Sequence, residues 1–227
     1  MEWLYGGMRH KGFGKRKGVL GNLGINTSLI LINVIVFVIA GILWFTGVIP
    51  IDYIALNPSN VLQGKYLWTF LTSMFMHGGF FHLFVNMLSL FFVGSLLQRI
   101  LGERRYLNFY LISGIFAGLF FVIIALLTGS GMDSYAVGAS GALFALIGCL
   151  MLLTPNLPVY VMFIPIPIKM KYAAPGLLLV LWGISFAADV PIGNIAHLGG
   201  LIAGLIYGIY LRSKFKNKTR IIRKQFS

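Results

Sequence analysis

Six apolar stretches of near-membrane length divide this 227-residue chain, and they leave it few ways to fold. A membrane-crossing helix needs about 20 mainly apolar residues, at ~1.5 Å of rise each, to cross a hydrocarbon core about 30 Å thick. The first run is Ser28 to Gly47, behind the cap-like Asn26-Thr27-Ser28, and the second is Phe80 to Leu101, ended by Gln98, Arg99 and Gly102. The third is Tyr106 to Leu127, and the shorter fourth, Ala139 to Leu153, stops at Thr154-Pro155. The fifth is Ala174 to Val190, with Pro175 tolerable in its first turn, and the sixth is Ile195 to Leu211. Prolines 155, 158, 165 and 167 forbid a spanning helix between the fourth and fifth runs, where alternating Ile164, Ile166, Ile168 and Met170 read as an extended interfacial strip. With 58% hydrophobic and 10% charged residues and a mean hydropathy of +0.89, a soluble globule is excluded for lack of polar surface. The expected fold is an all-α membrane protein, a bundle of six transmembrane helices.

Charge orients that bundle. Arg9, Lys11, Lys15, Arg16 and Lys17 precede the first run; Arg99, Arg104 and Arg105 lie between the second and third; Lys169 and Lys171 lie between the fourth and fifth. The tail adds Arg212, Lys214, Lys216, Lys218, Arg220, Arg223 and Lys224, so Lys65 alone falls on the other side. By the positive-inside rule both termini are cytoplasmic, and the +13 net charge is a topology signal; anionic lipid explains the basic tail more simply than nucleic acid does. The first run follows a long basic stretch and is itself span-length, which reads as an uncleaved helix in a cell membrane, expected to be a bacterial plasma membrane. The expected divisions are a basic arm over 1–25, a six-helix domain over 26–211 and a basic tail over 212–227. Cys149, the single cysteine, lies mid-helix and offers neither a disulfide framework nor a thiolate metal cluster.

Topology also sets depth. The second, fourth and sixth helices enter from the outer face, and each carries polar residues in its first turns: His82 and Asn86, Ser140, and His197. Ionisable side chains are costly in hydrocarbon, so three polar groups converging on one leaflet point to a functional site. A serine hydroxyl becomes a useful nucleophile when a neutral imidazole takes its proton, and Ser140 and His197 suit those roles. Gly138 and Gly141 allow close backbone approach, amides at a helix start face developing negative charge, and Gly138 is read with them as part of an oxyanion hole. His82 and Asn86, at i and i+4, share a helix face and can present two more donors to the same oxyanion. His77 belongs to the same outer cluster. Gly200, Gly204 and Gly208 form successive G-x-x-x-G steps in line with His197, and Phe144, one turn below Ser140, can support the imidazole.

At these residues the chain resembles the rhomboid family of intramembrane serine proteases. The resemblance runs from Tyr53-Ile54-Ala55-Leu56-Asn57-Pro58 through Trp68 to Asn86, then Leu101-Gly102-Glu103-Arg104-Arg105-Tyr106, Gly138-Ala139-Ser140-Gly141 and Ala196-His197-Leu198-Gly199-Gly200. It implies a rhomboid-like six-helix bundle with a Ser140/His197 dyad, and oxyanion stabilisation by His82 and Asn86. It also implies cleavage of transmembrane protein substrates near the outer face of the lipid bilayer, without metal, cofactor or nucleotide. The fifth helix and the loop from Ala188 to Asn194 would gate the site. Thr69 stands where the family often has arginine, Gln98 where it often has glutamate, and Phe144 where some members have tyrosine.

Blander readings exist for each residue. Serines in membrane helices commonly bond their own i−4 carbonyl, and Ser28, Ser73, Ser89, Ser95 and Ser113 are read that way. Three histidines suggest zinc, but no H-E-x-x-H motif and no carboxylate within a span accompany them. Asp133 and Asp189 read as solvated loop acids rather than a third member of the dyad. The alternatives for the whole chain are a catalytically inactive rhomboid-like protein that binds transmembrane helices, and a transporter using the polar cluster as an ion path. The intact Ser140/His197 pair argues against the first; the lack of an inverted repeat and of an intramembrane acid argues against the second.

Overall fold

The computed structural model describes residues 24–160, 166–188 and 193–226. The basic positions from Arg9 to Lys17, Ile164 of the interfacial strip, and Asp189 lie outside the described residues. Within them, α1 (Ile25–Phe45) is followed by a loop holding the short helices α2 (Pro58–Leu62) and α3 (Thr69–Thr72). Next come α4 (Phe80–Ser89), a π turn (Leu90–Gly94) and α5 (Ser95–Leu101), which run on as one 22-residue span, then α6 (Glu103–Thr128) and α7 (Ser140–Leu153). The chain continues through α8 (Met170–Ala188), α9 (Asn194–Lys214) and α10 (Lys216–Gln225). Among the described residues five helices are long and apolar enough to cross a membrane, and α7 is a sixth, shorter apolar helix. This is a multi-helix membrane bundle.

Burial ranks the helices by position. In α7 ten residues are buried, among them Leu146 and Leu150, which join Leu90, Leu97, Tyr106 and Tyr110 in one core. In α1 only Asn26, Leu29, Asn33 and Ala40 are buried, while Ile35, Val38, Ile39 and Ile42 are more than half exposed. Apolar side chains left bare on a membrane helix are the surface that lipid covers. So α7 is the axis of the bundle, and α1 is part of its lipid-facing wall.

Four local readings are corrected. Asn26 does not cap the first helix, which starts at Ile25. Its buried amide donates to the Leu90 carbonyl at 2.8 Å and to Ser95 Oγ at 3.1 Å, and its oxygen accepts from Tyr106 Oη at 2.5 Å. The Leu90 carbonyl stands at the start of the π turn, and Gln98 completes the anchor by accepting from the Asn26 backbone amide at 2.6 Å. Ser95 therefore joins a tertiary network rather than bonding its own helix. The interfacial strip is a two-stranded ribbon, β1 (Pro158–Val159) pairing antiparallel with β2 (Ile168–Lys169). Met170 begins α8 instead of extending the strip, which puts Pro175 in the second turn, not the first.

The loop between α1 and α4 is tied down at several points. Trp68 Nε1 donates to the Tyr53 carbonyl at 3.0 Å, and Thr72 Oγ1 donates to that of Ile54 at 3.2 Å. Leu56 and Ala136 exchange backbone bonds of 3.0 and 2.8 Å, and the Gly138 amide donates to the Ser73 carbonyl at 2.8 Å. The loop thereby fixes the backbone that leads into Ser140.

Candidate active site

Ser140 is the first residue of α7, and His197 lies in the first turn of α9. Their side chains meet, with His197 Nε2 2.8 Å from Ser140 Oγ. The contact depends on how closely α7 and α9 approach. A Cβ added at Gly200 would land on the Gly141 carbonyl oxygen, and one added at Gly204 on the Ala145 carbonyl oxygen. Backbone meets backbone one helical turn after another, and only glycine leaves room for it. Gly141 itself faces α6: a Cβ there would meet Ala117 Cβ at 2.8 Å, with the Ala196 carbonyl of α9 at 3.8 Å. Gly141 therefore serves the helix contact rather than an opening for a ligand.

His197 is buried, and the ring of Phe144 stacks on it with centroids 4.7 Å apart and planes 18° from parallel. Phe144 packs in turn with Ala174, Leu178 and Leu201, so the imidazole leans on a wall shared by α7, α8 and α9. Among the described residues nothing bonds His197 Nδ1. Asp133 accepts from Ser59 Oγ at 2.8 Å, in the loop region away from the imidazole. The Ser140/His197 pair thus stands without a carboxylate among these residues.

Beside the pair, Gly138 has φ +117°, a conformation that side chains rarely adopt. A Cβ at Gly138 would lie 2.8 Å from His82 Nε2 and 3.6 Å from Ser140 Oγ, so His82 and Ser140 border the same small space. Gly78 donates its amide to His82 Nδ1 at 3.3 Å. In a neutral ring that leaves the proton on Nε2, the nitrogen facing this space. Gly138 departs from the expectation that it donates to an oxyanion, because its own amide is spent on Ser73. The donors left there are the amides of the first turn of α7, from Ser140 to Ala142, which have no partner among the described residues.

Asn86 is buried one turn along α4 from His82. Its Nδ2 donates to the His82 carbonyl at 2.8 Å, leaving one amide hydrogen, and its Oδ1 has no partner among the described residues. His77 is almost wholly enclosed, its ring 5.1 Å from that of His82 and 6.5 Å from that of Phe37, both edge on. Burial first, and the neighbouring His82 second, hold its pKa down to about 4, so it is neutral near pH 7. His77 is a buttress for His82 rather than a proton carrier.

A family model described as the Rhomboid domain matches residues 64–214, well over half of the chain. The chain belongs to the rhomboid family. This rhomboid is 35% identical over 158 residues to RHOMBOID-like protein 1 of Arabidopsis thaliana, a match covering 68% of the chain and 37% of that relative. It is 32% identical over 161 residues to Rhomboid protein 1, mitochondrial, of Saccharomyces cerevisiae, covering 67% and 44%. A third relative, 33% identical over 140 residues and covering 60% and 36%, is named Inactive RHOMBOID-like protein 8 of Arabidopsis thaliana. The chain spans less than half the length of these curated relatives. Their plant and mitochondrial names do not support the bacterial plasma membrane expected for this rhomboid; a membrane protein is what the helices establish.

Sequence reasoning missed the residues that hold the site from outside it. Ser73 acts through its backbone carbonyl, which no side-chain motif records, and Leu56 and Ala136 act through a backbone bridge. The one available signal was Gly138 itself, since a glycine before a helix start marks unusual backbone.

Proposed function

We propose that this rhomboid is an intramembrane serine endopeptidase that hydrolyses peptide bonds in or beside transmembrane segments of other membrane proteins. The observation that carries the reading is the 2.8 Å approach of His197 Nε2 to Ser140 Oγ in apolar surroundings. His197 takes the hydroxyl proton as Oγ bonds to the substrate carbonyl carbon. The resulting oxyanion sits in the space beside Gly138, where His82 Nε2–H, the free amide hydrogen of Asn86 and the first-turn amides of α7 are its donors. Collapse breaks the C–N bond, and His197 returns the proton to the leaving amine. A water then delivers a proton to His197 and its oxygen to the acyl carbon, freeing Ser140 and the new carboxylate. Phe144 positions the imidazole, and Gly200 and Gly204 set its distance.

The basic residues at the far ends of the helices support cytoplasmic termini and a site near the outer face, with the divisions 1–25, 26–211 and 212–227. Substrates must expose a peptide bond from a hydrogen-bonded helix, so helix-breaking residues near the outer end of a substrate span favour cleavage. The inactive reading is kept because one relative bears that name. Both are tested together: Ser140→Ala and His197→Ala each lower cleavage of a reporter transmembrane substrate by on the order of a thousandfold or more, with the fold intact. Cleavage retained in either variant defeats the peptidase. Labelling of the wild type by a fluorophosphonate probe that disappears in Ser140→Ala excludes the inactive reading.

A further inference from the structure

At the end of α9 remote from His197, the chain turns at Phe215 into α10 and, with the turn after α7, encloses a cleft of about 400 Å³. Arg212, Lys216, Arg220, Arg223 and Lys224 line it, with Thr219, Pro155 and Asn156. Within α10, Lys216, then Arg220, then Arg223 and Lys224 recur three or four residues apart and form one ridge, which Arg212 of α9 meets across the elbow. The elbow is locked from inside. Thr219, buried under the ridge, donates its hydroxyl to the Phe215 and Lys216 carbonyls, both at 3.1 Å. Arg212, Lys216, Arg220 and Arg223 have no acidic or other side-chain partner among the described residues, and no described acidic residue lines the cleft.

Depth identifies the source of the missing anion. The apolar part of α9 ends at buried Leu211, and the basic lining of the cleft begins at the next residue. That places the cleft directly beyond the hydrocarbon, in the headgroup layer that adds roughly 5–7 Å on each side of a bilayer. Ile221 on α10 is 59% exposed and supplies an apolar residue for the same layer. Guanidinium forks match phosphate oxygens two at a time, and basic clusters just beyond a transmembrane helix attract anionic lipid. We infer that this cleft binds the phosphate-bearing headgroup of an anionic membrane phospholipid. The inference is independent of the peptidase reading, since the cleft lies fifteen residues along α9 from His197, about 22 Å away at ~1.5 Å per residue.

The test is lipid retention by the full chain, purified in detergent micelles carrying phosphatidylglycerol with phosphatidylcholine as the neutral reference, and read by native mass spectrometry. Arg220→Ala with Arg223→Ala lowers retained phosphatidylglycerol by on the order of tenfold. Lys214→Ala with Lys218→Ala removes the same charge from the same tail outside the cleft and changes retention less than about twofold. The single exposed substitution Arg220→Gln repeats the loss with least disturbance, and equal melting temperatures in phosphatidylcholine micelles show that each variant is folded. Equal loss from both double variants overturns the site in favour of diffuse surface charge. Protection of the wild type by millimolar inorganic phosphate, or binding of an RNA oligonucleotide, with the same dependence on Arg220 and no lipid retention, overturns the lipid as occupant.

Discussion

Helices α7 and α8 are neighbours in the bundle and opposites in how they are held. Along α7, carbonyls of Gly141 and Ala145 stand where Gly200 and Gly204 would carry side chains, so the distance to α9 is set by backbone on both sides. Along α8, burial is confined to Met170, Ala173, Ala174 and Leu178 near its start, and beyond them Leu179, Val180, Ile184 and Phe186 are exposed, Phe186 at 94%. Backbone contact admits one distance; a few apolar side chains at one end admit small tilts. The stiff contact carries Ser140 and His197, where an ångström matters, and α8 packs on Phe144, the ring behind the imidazole.

That contrast can be broken at its strong side first. Gly204→Val places a branched side chain on the Ala145 carbonyl, and the expected loss exceeds about 4 kcal/mol, read as failure to recover a monodisperse folded protein. Recovery of a stable Gly204→Val variant would mean that α7 and α9 can separate, and the rigid seam would have to be abandoned. Asn26→Ala probes the opposite end of the bundle. It strips a partner from buried Tyr106 Oη and from the Leu90 carbonyl, for an expected cost of about 2 kcal/mol in thermal or denaturant unfolding.

The pH dependence of stability sharpens the comparison where the loop meets the site. His77 has a folded pKa near 4 against 6.5 in the unfolded chain, so between these values the unfolded state binds a proton that the folded state refuses. Its contribution is constant above pH 6.5 and becomes unfavourable as pH falls towards 4, removing about 1.4 kcal/mol by pH 5.5. In His77→Gln this part of the slope disappears, and identical melting profiles for the two proteins between pH 7.5 and 5 would refute the assignment. The smallest effect belongs to the loose side. Phe186→Ala shifts stability by no more than about 0.5 kcal/mol, and a loss comparable with that of Asn26→Ala would show that α8 is packed along its whole length.

The fold was legible where it depends on hydropathy alone. Apolar runs mark helices because hydrocarbon demands them, and the ends of the α4–α5 span and of α6, α7 and α9 fall within a few residues of their runs. Where polar residues decided matters, the reading slipped. Asn26 looked like a cap because local sequence cannot display a partner 64 residues away, the Leu90 carbonyl at the start of a π turn. Gly138 looked like a donor because its neighbours suggest an anion site, yet the loop had already claimed its amide through Ser73.

The sequence by itself determined that this chain lies in a membrane as a helical bundle, which polar residues gather at one end of it, and which glycines line one face of α9. These follow from hydropathy and helical period, which are properties of neighbouring residues. Tertiary structure alone decided that His197 reaches Ser140 at 2.8 Å, that Phe144 backs the imidazole, and that Gly141 serves packing. Such facts depend on the distance and register between segments tens of residues apart, and those arise only when side chains, or their absence, are packed against one another.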